Sequence, residues 1–80
     1  MGEEQFYNSQ SYCVQVGAFQ DYNKAMELQL ELLRQGLWSD IDCCNQCYKV
    51  KTGGFTKLEQ ASLMEVSLRR RGYPTLLVTN

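Results

Sequence analysis

The sequence predicts an α+β domain of order βαββαβ, with a four-stranded antiparallel sheet in strand order 4-1-3-2 and two helices on one face. Three observations predict it. Residues 12–42 overlay residues 48–78 without a gap, at a constant offset of 36, and Tyr12/Tyr48, Val14/Val50, Gly17/Gly53, Phe19/Phe55, Ala25/Ala61, Leu32/Leu68, Arg34/Arg70 and Gly36/Gly72 coincide. Those eight identities in 31 pairs compare with about two expected by chance at ordinary composition. Each repeat also changes from period-2 to helical apolar spacing and then stops at a glycine. Finally, two right-handed β-α-β crossings that interleave in one sheet produce that strand order.

The first strand is Tyr12 to Gly17, with Tyr12, Val14 and Val16 inward and Cys13, Gln15 and Gly17 on the opposite face. Asp21 is placed to cap the first helix. Ala25, Leu28 and Leu32 form its buried stripe, widened by Met26, Leu30 and Leu33. Gly36 suits a left-handed helix terminus, and Arg34 complements the helix dipole. In the second strand Ile41 and Cys43 make the better inward set, leaving Trp38, Asp40 and Asp42 outside. The repeat argues otherwise, because Asp40 aligns with Leu76. With Leu76 and Val78 inward and Leu77 outward on the last strand, Asp40 would face the core. Burying an unpaired carboxylate is costly, so the hydrophobic pattern takes precedence.

Cys44-Asn45-Gln46 reads as a short hairpin turn into the third strand. There Tyr48, Val50 and Thr52 point inward and Cys47, Lys49 and Lys51 outward. Thr56-Lys57-Leu58-Glu59 has the form of a capping box for the second helix. Ala61, Met64 and Leu68 form that helix's stripe, and Gly72 and Pro74 end it. The helices are expected near 22–35 and 57–71.

Eighty residues make one domain with a thin core. Residues 1–10 read as a flexible linker or an expression remnant, and residues 11–80 as the folded domain. A net charge of −1 argues against a phosphate-tracking nucleic-acid binder. No apolar run reaches the roughly 18 residues a membrane span requires, so membrane insertion by this segment is not expected. The absence of histidine removes the commonest general base and metal ligand. No serine or cysteine has a plausible base partner, and no cofactor is expected. Cys13 lies far from Cys47 along antiparallel strands, so it shares neither a metal nor a disulfide with the other cysteines. For Cys43, Cys44 and Cys47, free thiols, a Cys44–Cys47 or Cys43–Cys47 bridge across the turn, and a metal site remain open.

The segments Tyr-Cys-Val-Gln-Val-Gly-Ala-Phe (12–19) and Tyr-Lys-Val-Lys-Thr-Gly-Gly-Phe (48–55), at this separation, resemble the two hallmark segments of the SPOR domain. The likeness runs over about residues 10–80. It implies a ferredoxin-like or RNP-like fold and a non-catalytic, monomeric module. Such a module binds peptidoglycan glycan strands lacking stem peptides and directs a parent envelope protein, in some cases a cell-wall hydrolase, to the division septum or spore wall. The glycan would lie on the open sheet face. Gln15 falls on the family's first-strand glutamine, Ala18 on a small position, Lys49 on the third-strand arginine position and Leu77 on an apolar contact position. Cys47 stands where some members carry an aromatic residue. Lysine in place of arginine exchanges a planar fork for a point charge. Lys51 and Trp38 complete the candidate glycan-binding set, Trp38 as a stacking platform at the edge strand.

Two other functions share this fold. An RNA-binding module of the RRM type stacks bases on outward aromatics of strands one and three, where this chain has Cys13, Gln15, Gly17, Cys47, Lys49 and Lys51. A ferredoxin-like metal-handling domain places its Cys-x-x-Cys after strand one, whereas here it spans the central hairpin.

Overall fold

The structure is a computed structural model that describes residues 11–79; the segment 1–10, expected to be a linker, lies outside the described residues. The elements follow as β1 (Tyr12–Phe19), α1 (Tyr22–Arg34), β2 (Asp40–Cys44), β3 (Cys47–Phe55), α2 (Leu58–Arg70) and β4 (Leu76–Thr79). The sheet order is β2-β3-β1-β4 with every neighbouring pair antiparallel. This is the 4-1-3-2 sheet that the repeat predicts.

The core lies between the helices and one face of the sheet. Val14, Val16 and Val50 from the strands meet Ala25 and Leu32 of α1 and Leu68 of α2. Phe19, Leu28, Ile41, Tyr48, Met64 and Leu77 close its margins. Small Ala25 and Ala61, both fully buried, let each helix approach the sheet closely. The Thr52 hydroxyl is buried on this side without a hydrogen-bond partner among the described residues.

Both helices end identically. Gly36 N–H donates to the Leu33 carbonyl and Leu37 N–H to that of Leu32, and Gly72 and Tyr73 repeat this on Arg69 and Leu68. This is the Schellman arrangement, with both glycines at positive φ. The helix starts differ. Asp21 caps α1, its carboxylate accepting from Asn23 N–H at 2.9 Å. The capping box expected at Thr56 does not form, because α2 begins one residue later and its N-cap is Lys57, whose side chain makes no capping bond. Lys57 is 36 residues beyond Asp21, so the repeat locates the helix start where the local motif misplaces it.

The two units are also joined by side chains. The Tyr73 hydroxyl donates a short hydrogen bond to Glu31 of α1 and accepts from Gln35 at 2.7 Å, and Arg71 donates to Gln35 at 2.8 Å. The bond to Glu31, aided by desolvation, raises the Tyr73 pKa above its ordinary value.

Two departures from the predicted facing arise from register. β1 carries a bulge between Gln15, opposite Lys51, and Gly17, opposite Val50. One extra residue reverses the alternation. Gly17 therefore faces the helices rather than the open side, and a Cβ there would lie 2.9 Å from Leu28 Cδ2. Ala18 then points to the open face, opposite Lys49. On β4, Leu77 pairs with Val14 and packs against the core, whereas Leu76 pairs with Gln15 and is 56% exposed. Leu76 and Val78, not Leu77, face outward with Gln15 and Cys13.

Candidate glycan-binding face

Among the described residues both helices lie on one side of the sheet, so its other face is uncovered. β1 and β3 are its central strands and carry most of the sequence-derived candidates. Gln15 stands opposite Lys51 and Ala18 opposite Lys49, which places each pair of Cα atoms about 4.5–5.5 Å apart. Cys47 is on the same face, opposite Cys44 across the hairpin. Gln15 and Lys49 are both partly exposed and Ala18 is exposed. These five residues, Gln15, Ala18, Cys47, Lys49 and Lys51, therefore form one contiguous surface.

The two lysines are not equivalent. Lys51 Nζ lies 3.1 Å from Asp42 Oδ2, and its side chain is only 20% exposed. Asp40 flanks it directly on β2. Lys49 stands opposite Asp42 on β2 but forms no ion pair among the described residues. Asp40, Asp42, Lys51 and Gly53 line a shallow depression of ≈ 300 Å³. A second of ≈ 180 Å³ lies beside Gln15 and Ala18 where β4 begins, walled by Pro74, Thr75 and Leu76.

Two candidates stand apart. Trp38 is 67% exposed and precedes β2, at the sheet edge remote from β4. The adjoining Ser39 is buried, and its carbonyl accepts from Gln29 of α1 at 2.8 Å. That contact anchors the segment carrying Trp38. Leu77 is removed from the face by its packing on Val14. Leu76, beside Gln15, and Val78, beside Cys13, which sequence reasoning missed, take the outward apolar positions of β4. The signal that finds them is the register with β1.

The face carries polar, small and aliphatic groups, and no aromatic residue projects from it on β1 or β3. That surface offers hydrogen bonds and the charges of Lys49, Lys51, Asp40 and Asp42 rather than stacking platforms for nucleobases. The four cysteines do not share a centre. Cys44 and Cys47 are on the open face, Cys43 pairs with Tyr48 on the other, and Cys13 is opposite Gly53 at the far end of β3.

The family model of the SPOR domain matches residues 8–79. The chain belongs to the SPOR domain family. A similar solved structure is the solution structure of the peptidoglycan binding domain of the B. subtilis cell wall lytic enzyme CwlC. It shares 25% sequence identity with this SPOR domain at a TM-score of 0.80, covering 90% of this chain and 91% of that one. No curated protein matches the chain.

Proposed function

We propose that this SPOR domain is a non-catalytic module that binds peptidoglycan through the open sheet face and recognises glycan strands lacking stem peptides. In this reading it acts in the cell envelope, delivering a parent protein to the division septum or spore wall. The observation that carries it is the SPOR match over residues 8–79. The CwlC domain, a peptidoglycan binding domain of the same shape, supports it.

The chemistry of the face suits the ligand. Sugars present hydroxyls and acetamido groups, and the Gln15 amide both donates and accepts. Removing the stem peptide from the lactyl amide leaves a carboxylate on the glycan, and Lys49, which forms no ion pair among the described residues, can meet it. Lys51 is held by Asp42 and supports the face rather than reading the ligand. Ala18 leaves space for a ring between Gln15 and Lys49, and Leu76 supplies an apolar contact.

Cosedimentation with purified sacculi, before and after amidase treatment, tests the reading. Amidase treatment should increase binding. Losing one polar contact costs about 1 kcal/mol, a roughly fivefold weakening. Gln15→Ala and Lys49→Ala should each show that loss, and Gln15→Glu a larger one, because it removes donors and adds repulsion. Glu27→Ala, on the exposed surface of α1, should bind like the parent. The reading fails if amidase treatment does not raise binding, or if folded Gln15→Glu and Lys49→Ala bind normally.

A further inference from the structure

We propose that Cys44 and Cys47 are a dithiol site that closes to an intrachain disulfide across the β2–β3 hairpin, at the rim of the open face. The two residues are direct cross-strand partners, and they flank a two-residue connection with Asn45 at φ 54° and Gln46 at φ 62°. Two consecutive left-handed residues define a type I′ turn, whose twist matches that of the paired strands and holds them in register. Directly opposed residues have Cα atoms about 4.5–5.5 Å apart with side chains on the same face. Disulfides span roughly 4.4–6.8 Å between Cα atoms.

The same register eliminates the other partners. Cys43 is opposite Tyr48, so its side chain leaves the sheet on the side away from Cys47. Cys13 is opposite Gly53, six residues and about 20 Å along β3 from Cys47. Cys44 is exposed and Cys47 partly so, which admits a small reagent.

The oxidant is a low-molecular-weight disulfide. The Cys44 thiolate attacks one of its sulfurs, forming a mixed disulfide and expelling one thiolate. The Cys47 thiolate then attacks Cys44 Sγ, forming the intrachain bond and expelling the second thiolate. The net change is one protein disulfide from two thiols, with the reagent reduced to two thiols that carry the protons. Because β2 pairs, among the described residues, with β3 alone, the bridge pins the edge strand bearing Asp40 and Asp42.

The test is equilibration of the full chain with mixed oxidised and reduced glutathione, alkylation with N-ethylmaleimide, and mass spectrometry. Two of the four cysteines, Cys13 and Cys43, should be alkylated, with the other pair protected until reduction. Cys43→Ser should retain the bridge, and Cys44→Ser and Cys47→Ser should each lose it. Amide exchange in β2 should slow severalfold on oxidation of the Cys43→Ser variant. Four alkylated cysteines, a bridge through Cys13 or Cys43, a disulfide-linked dimer, or unchanged exchange in β2 would each overturn the proposal. None of these readouts uses glycan, so its failure and that of the binding reading are distinguishable.

Discussion

Gly17 and Gly53 occupy the same position of the repeat for different physical reasons. At Gly17 the constraint is space, since a Cβ would meet Leu28 Cδ2 and Phe19 Cε2 at 2.9 Å, both on side chains that can shift. At Gly53 the backbone has φ 126°, and a Cβ would also lie 3.1 Å from Cys13 Cα. Backbone strain and a backbone contact cannot be relieved by rotating a side chain. Gly53→Ala is therefore expected to cost about 1–3 kcal/mol and more than Gly17→Ala, as measured by chemical denaturation of both variants. Equal costs would contradict the assignment. The open-face placement of Gln15, Cys47, Lys49 and Lys51 was legible at this scale in their polar or small character against the apolar alternation, whereas Ala18 entered the candidate set through the family resemblance and reaches that face through the bulge. Leu77 was misplaced because Leu76-Leu77-Val78 is apolar throughout, and a uniform run carries no facing signal. Gly17 was misplaced because nothing local announces the bulge residue that reverses the alternation after Gln15.

The helices show what happens when a local motif and the repeat disagree. Thr56-x-x-Glu59 has capping-box spacing, yet α2 starts in step with α1 and leaves Lys57 at the N-cap without a side-chain bond. Lysine there offers no acceptor to the first free amides and puts a positive charge at the positive end of the helix dipole. Lys57→Asp should recreate the Asp21 cap and raise stability by about 1 kcal/mol, and Asp21→Ala should lower it by about the same amount. Thermal unfolding of the two variants checks both signs; a neutral or destabilising Lys57→Asp would show that the α2 entry is held by other means. The conflict over β2 resolves similarly. Ile41 and Leu77 are repeat partners and both pack on the core, while Asp40 and Leu76 are partners and both exposed. The repeat and the hydrophobic reading of β2 agree once Leu77 is inward. Element existence and order were legible because eight identities at one spacing outweigh any single ambiguous strand.

At the scale of the molecule, every strand pairing among the described residues crosses between the two units. β1 of the first unit pairs with β3 and β4 of the second, β2 pairs with β3, and no ladder joins β1 to β2 or β3 to β4. The Glu31–Tyr73 and Gln35–Arg71 hydrogen bonds cross in the same way. Each unit alone thus has an amphipathic helix and two strands with no sheet partner. A 13-residue helix is marginal in water without tertiary packing. The sequence repeat is consequently not a folding repeat, in contrast to solenoids whose units stack on like neighbours. A peptide of residues 11–44 is expected to be unfolded by circular dichroism, as is one of residues 45–80. An equimolar mixture should recover helix and sheet signal with a concentration-dependent midpoint, because β1 then regains β3 and β4. The intact domain should unfold in one transition, with the same midpoint by far-ultraviolet dichroism and by amide exchange of the β1 core residues Val14 and Val16. Separate transitions for the two halves, or a folded 11–44 peptide, would show that the units hold structure without the pairings between them.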